Sequence, residues 1–101
     1  MFKSKNNRYV TRGIKDAVPK ETQFFLWSLI DHQVQKGNTL DYFQKFELKA
    51  IEAGQEILHS QEVPQWSQAT VMAVPRECCI TETIWVIDSG DYQTMLFPED
   101  Y

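Results

Sequence analysis

The longest run of helical periodicity extends from Pro19 to Lys36. At 100° per residue, one wide stripe collects the apolar side chains Leu26, Trp27, Ile30 and Val34. Proline suits the first turn of a helix, and Gly37 is a typical residue just beyond its end. The pattern therefore predicts an amphipathic helix that packs against a large apolar surface. Phe24 lies on the opposite, polar side and is predicted to be exposed.

Alternating polar and apolar residues replace the helical period in the rest of the chain. Strand-like patterns cover Arg8–Arg12, ended by Gly13, and Tyr42–Ala50, which forms a hairpin with Glu56–Gln61. Ala69–Val74 is also strand-like and is followed by a proline. The clearest hairpin joins Thr83–Ile87, which is apolar on both faces as in a central strand, to Tyr92–Phe97 through an Asp-Ser-Gly-Asp turn.

These elements predict an α+β fold, with a roughly five-stranded, mainly antiparallel sheet and one long helix packed across one face. The length of 101 residues, with 43% apolar and 24% charged residues, predicts a single folded domain over residues 1–101. Residues 1–6 are expected to be mobile. No apolar stretch approaches the roughly 20 residues that span a bilayer, and the first 15 residues lack the apolar run of a secretory signal. We therefore expect a cytoplasmic protein that does not enter a membrane.

Charge is distributed unevenly along the chain. Residues 1–15 contain five Lys and Arg and no acid, so the five remaining basic residues set against 14 Asp and Glu leave residues 16–101 at −9. A basic segment can meet phosphate or an acidic partner, or it can simply be solvated. The acidic body makes direct nucleic-acid binding unexpected, because non-specific binding requires positive potential over a whole face.

No catalytic, metal or cofactor signature emerges from the reactive side chains. Cys78 and Cys79 are adjacent, which does not match zinc-ligand spacing, and we expect reduced thiols. His32 and His59 are expected to be structural, since no acid or nucleophile is placed near them by sequence. The glycines are scattered, so there is no phosphate-binding loop. The chain is predicted to be non-enzymatic, without cofactor or metal.

Four residues are candidate partner-binding positions. Arg8 and Arg12 would point to one side of the first strand, where they could grip an anionic group or pair with acids of a neighbouring strand. Phe24 and Trp66 are the aromatic residues least explained by a core pattern, and aromatic residues outside the core are enriched at interfaces. Either ring, including Trp66 in its polar connection, could equally be tucked under a loop.

Several segments together resemble a known family. They are RYVTRGI at residues 8–14, LWSLID at 26–31, FEL at 46–48 and WVIDSGDYQTML at 85–96. The likeness is to the Domain of Unknown Function 960 (DUF960) family and spans residues 8–101, although residues 49–82 resemble it only in outline. The resemblance implies an origin in low-GC Gram-positive bacteria, their phages or mobile cassette elements. It implies no activity, cofactor or recurring Cys and His pair.

The sequence favours a small protein-interaction module that docks a partner protein through its basic first strand and exposed aromatic residues. The alternative is a mobile-element inhibitor whose carboxylates mimic DNA charge and block a host nucleic-acid enzyme. That alternative requires the acids to share one face, namely Glu47, Glu56, Glu62, Asp88, Asp91, Glu99 and Asp100. A thiol enzyme using Cys78 or Cys79 is the third hypothesis.

Overall fold

A computed structural model describes Phe2 and residues 7–101. The strands are β1 (Asn7–Val10), β2 (Phe43–Ile51), β3 (Gly54–Gln61), β4 (Trp66–Met72), β5 (Glu82–Asp88) and β6 (Tyr92–Leu96). The helices are the short α1 (Arg12–Ala17) and the long α2 (Lys20–Gln35). Single 3-10 turns cover Arg76–Cys78 and Pro98–Asp100.

The six strands form one open sheet in the order β1-β6-β5-β2-β3-β4. All neighbours are antiparallel except β1 and β6, which are parallel. The expected α+β character with one main helix is confirmed, whereas the count of roughly five strands was one too low. The run that is apolar on both faces, in β5, is a central strand as predicted.

Helix α2 forms where the periodicity predicted it. It ends at Gln35, and Gly37 follows with φ +82°, a left-handed conformation that glycine adopts without steric cost. Its apolar side chains Leu26, Trp27 and Ile30 share one core with Phe46, Leu48, Ile57, Ile84, Val86 and Met95 of the sheet. Because side chains alternate along a strand, these sheet residues all lie on one face, which we call the covered face.

The start of the chain differs from the prediction. β1 ends at Val10, and the Thr11 side chain accepts a hydrogen bond from the Ile14 N–H at the beginning of α1. Threonine favours both strands and helix N-caps, which explains why a strand was predicted to continue to Arg12. Arg12 is therefore helical and exposed, so it does not share a strand face with Arg8.

Residues 1–6 were predicted to be mobile. Apart from Phe2, these residues lie outside the part of the chain that the structure describes. Phe2 is buried in the core, and its N–H donates a hydrogen bond of 2.5 Å to Asp88 Oδ2. In the part of the chain that the structure describes, no helix has the length and apolarity needed to cross a bilayer.

Candidate functional site

Arg8 is held by three neighbouring side chains on the covered face. Its guanidinium donates to both carboxylate oxygens of Asp31, at 2.6 and 3.1 Å, and its Nε donates to Gln93 at 2.9 Å. The Cζ atom lies 4.7 Å from the ring centroid of Trp27. Bidentate ion pairing and aromatic stacking together use the planar fork of arginine. Of the two alternatives left open by the sequence, the geometry favours pairing, although the acid belongs to α2 and not to a strand.

Replacing Arg8 by lysine should therefore destabilise the fold. A lysine keeps the charge but cannot reproduce the bidentate bond or the stacking, so we expect Arg8→Lys to lower the free energy of unfolding by about 1–2 kcal/mol. Arg12→Lys is the matched control, because Arg12 is exposed, and should stay within about 0.5 kcal/mol of wild type. Urea denaturation measures both. Equal, small losses would show that the Arg8 contacts contribute no stability.

Phe24 lies beside Arg8, at the junction of α2 and β1. Its side chain is 65% exposed, as predicted, and it borders a shallow groove of about 460 Å³ that Arg8, Trp27 and Asp31 also line. The structure thus brings two of the four candidate residues together. It leaves Arg12 on α1 and Trp66 at the far edge of the sheet.

Trp66 lies in β4 and not in a connection, because it pairs with Gln61 across the turn that joins β3 to β4. The ring is half-buried and packs edge-on against the imidazole of His59, with the centroids 4.8 Å apart. Its indole N–H is buried without a hydrogen-bond partner. Trp66 is thus a half-buried ring in an edge strand, packed on His59, and matches neither an exposed ring in a connection nor a ring tucked under a loop.

His59 is enclosed by aromatic rings on the covered face. It stacks on Phe46 with centroids 4.3 Å apart, and its Nε2 lies 2.7 Å from the side-chain oxygen of Gln44. Burial lowers the pKa of His59 from 6.5 to about 4, because the charged form loses its hydration. The imidazole is therefore neutral at physiological pH and donates to Gln44.

The thiols lie outside this cluster. Cys78 ends the 3-10 turn after β4, and Cys79 follows it; both are free and half-buried. Among the described residues, His, Cys, Asp and Glu side chains form no group of three or more that could hold a metal ion.

The other face of the sheet, which we call the open face, has no helix packed on it among the described residues. The buried side chains of both α1 and α2 belong to the core on the covered face. Several large apolar side chains nevertheless lie on the open face of β1, β6, β5 and β2. Leu96, opposite Trp85, is buried, whereas five others are exposed or half-buried, and we call these five the aromatic patch: Tyr9, Tyr92, Ile87, Trp85 and Phe43. The C-terminal Tyr101 lies at its margin, edge-on to Trp85 at 5.9 Å.

Cross-strand register makes the aromatic patch continuous. Ile87 lies directly opposite Phe43 on one side, and Thr94 opposite both Ile87 and Tyr9 on the other. The rings of Tyr9 and Tyr92 are 6.0 Å apart, and those of Phe43 and Trp85 are 5.0 Å apart. Tyr9 is 54% exposed and Tyr92 is 45% exposed. The patch is thus apolar, and it is most accessible to solvent at Tyr9 and Tyr92, whereas Phe43, Trp85 and Ile87 are half-buried.

On β2 and β3 the open face also carries charged residues of both signs. Lys45 lies 3.8 Å from Glu47, and Lys49 pairs across the strands with Glu56. Asp88, another acid of the proposed DNA-mimic set, is buried and bonded to the backbone of Phe2 and Gly90. The seven acids of that set therefore do not form a single array.

Sequence reasoning missed the aromatic patch, although one signal pointed to it. The apolar character of Thr83–Ile87 on both faces predicts a central strand. That inference was right, but it implied that both faces are covered. The structure leaves Trp85 and Ile87 half-exposed on the open face.

Comparisons with known proteins agree with this fold. A family model described as "Staphylococcal protein of unknown function (DUF960)" matches residues 7–100. A crystal structure of a protein of unknown function from Enterococcus faecalis is similar at 20% identity and a TM-score of 0.81, covering 99% of this chain and 94% of that one. Comparison with curated proteins gives no match.

Proposed function

This chain belongs to the DUF960 family, and from that premise we propose that it is a small, non-enzymatic protein-interaction module that docks a partner protein on its aromatic patch. The setting proposed for it is the cytoplasm of a low-GC Gram-positive bacterium or of the cell that hosts its mobile element. The observation that carries the proposal is the aromatic patch itself, which remains partly exposed on the open face of the sheet.

Burial energetics favour a use for this surface. Partly exposed rings keep a large apolar area in contact with water, and removing it from water contributes roughly 25 cal/mol per Å². Contiguous apolar surface on a folded protein marks interaction sites more often than scattered apolar residues do. Tyr and Trp are also the residues most enriched among those that dominate binding energy. Tyr9, Tyr92 and Trp85 supply these types on one surface.

The chemistry of the patch defines the partner it fits. The five side chains carry no charge, and only Tyr9, Tyr92 and Trp85 add polar groups at their ring edges. A partner with an uncharged, apolar contact surface therefore complements it.

Several contacts support a role without catalysis. His59 is neutral, stacked and bonded to Gln44, and so is committed to the core. Arg8 is engaged with Asp31 and Gln93. The basic first strand is consequently a weaker docking candidate than the sequence indicated, and the aromatic patch replaces it.

The test is capture of a partner from a bacterial host lysate by matched variants. Tyr9→Thr combined with Tyr92→Thr removes two rings while keeping residues that favour strands. We expect this variant to lose partner capture by at least about tenfold, since truncating each central ring costs on the order of 1–2 kcal/mol of binding. Phe24→Gln is the control, because it removes a ring that is even more exposed than Tyr9 or Tyr92 and that lies on α2, which packs on the covered face.

The comparison of variants decides the outcome. A partner retained by Phe24→Gln, lost by the double variant and still bound at about 0.5 M salt supports docking on the patch, because apolar contacts are not screened. Equal capture by both variants contradicts the proposal. Capture that disappears at about 0.3 M salt also contradicts it and favours the DNA-charge mimic.

A further inference from the structure

Strand β4 forms one edge of the sheet and lacks the usual protection of such edges. It pairs with β3 alone, and the segment WSQATVM contains no charged residue and no proline. Edge strands expose a row of free N–H and C=O groups that can pair with another chain, and most proteins blunt them with Lys, Pro or bulges. β4 is therefore a site where a further strand could be added.

The backbone groups that point outwards can be identified from neighbouring strands. In β2, Ala50 donates its N–H to Thr81 at the start of β5, and Tyr42, just before β2, accepts from Asp88 of β5. The backbone N–H and C=O groups of the even-numbered residues of β2 thus point towards β5, and those of the odd-numbered residues point towards β3. The same alternation of backbone direction continues through β3 into β4. In β4, the backbone N–H and C=O groups of three residues therefore point away from the sheet: Ser67, Ala69 and Val71.

The side chains of these three residues are exposed and small or of moderate size. They lie on the open face, and Val71 is 51% exposed. Within the described chain, the backbone groups of these three residues make no hydrogen bond to any other segment. An added strand would therefore meet free donors and acceptors and no bulky obstacle at these positions.

We propose that two copies of this chain pair through β4, antiparallel and about a two-fold axis at Ala69, to form one continuous sheet. This proposal is independent of the function proposed above. Ser67 of each copy then lies opposite Val71 of the other, and about six hydrogen bonds form between the outward-facing groups. The axis is perpendicular to the sheet, so both aromatic patches face the same side.

The residues of β4 favour a second copy as the occupant, because the strand is complementary to itself in this register. Gln68 lies opposite Thr70, and Trp66 opposite Met72, whose thioether makes favourable contacts with aromatic rings. No like charges meet within β4.

The register can be tested by charge substitutions at the opposed positions. Ser67→Lys with Val71→Lys places two pairs of like charges across the proposed interface. Ser67→Lys with Val71→Glu places two pairs of opposite charges there and changes the same exposed positions. Sedimentation equilibrium on the full chain should show a wild-type dimer, a dissociation constant at least about tenfold higher for the first variant, and one within about threefold of wild type for the second.

Each result bears on the proposal. A wild-type chain that remains monomeric at about 0.5 mM, a concentration at which weak dimers are populated, contradicts it. Dimers of equal strength in all three proteins place the interface elsewhere, and monomers for both variants contradict the register. Circular dichroism and thermal unfolding of the variants, which leave the core untouched, confirm that dissociation is not a loss of fold.

Discussion

The free energy of unfolding should fall by about 3 kcal/mol as the pH drops from 6.5 to about 4, because of His59 alone. Its pKa is about 4 in the folded protein and near 6.5 when unfolded, so the unfolded state binds more protons throughout this window. The stability contributed by the neutral imidazole is complete above pH 6.5. It is lost progressively as the pH falls, and the loss saturates below about 4.

The measurement is urea denaturation at a series of pH values, for wild type and two variants. Carboxylates also titrate near the lower end, so the informative quantity is the difference between proteins. His59→Gln keeps a donor for Gln44 but cannot become charged. Its free energy of unfolding should therefore decrease less steeply with falling pH than that of wild type, by the His59 contribution. His32→Gln is the control, because His32 is exposed, and should retain the full slope. Identical slopes in His59→Gln and wild type would contradict this account.

The sequence predicted those parts of the fold that depend on local signals. Helix α2 followed from its apolar stripe and Gly37, and the hairpin of β5 and β6 from its turn residues. The parallel pairing of β1 with β6 joins segments about 85 residues apart, and no local pattern specifies it. The sequence predicted this strand at Ala69–Val74, too close to the C-terminus, because Trp66 and Ser67 follow a proline and resemble a connection. In the structure, both residues pair with β3 and therefore belong to β4.

The candidate site was less predictable, because exposure depends on what covers a residue. Arg8 and Phe24 were chosen as isolated features, and the structure brings them to one groove, with Arg8 already paired to Asp31. Tyr9, Phe43 and Trp85 are ordinary strand residues in the sequence. They form a patch because three distant segments become neighbours in the sheet and because neither α1 nor α2 packs on that face.

Buried glutamines were the main surprise within the core. Glutamine is usually exposed, so alternation alone assigns it to solvent. Here Gln61 donates to the carbonyl oxygens of Thr39 and Pro64, and Gln55 bonds to both backbone groups of Ile80. Each amide satisfies backbone groups of a connecting segment that the sheet would otherwise leave unpaired. Such partners are distant in sequence, which is why hydrophobic patterns do not reveal them.

Gln44 is the central member of this set, and Gln44→Met should destabilise the fold by about 2–4 kcal/mol although it adds apolar surface to the core. The Gln44 side chain is fully buried, donates to Gln61 and to the Asp41 carbonyl oxygen, and accepts from His59. Methionine has a similar length but leaves the buried His59 N–H without an acceptor. Leu48→Met, on the same strand and face, is the control and should cost less than about 1.5 kcal/mol.

A double-mutant cycle with His59→Phe separates the lost hydrogen bond from imperfect packing. Phenylalanine can still stack on Phe46 but has no N–H. In that background, Gln44→Met therefore leaves no buried ring N–H without an acceptor. We expect the two substitutions together to cost about 1–2 kcal/mol less than the sum of the single losses, as measured by urea denaturation. Additive losses would mean that the imidazole and the amide act independently. Coupling of this size would show that the hydrogen bond between the His59 imidazole and the Gln44 amide contributes stability beyond the packing of either side chain.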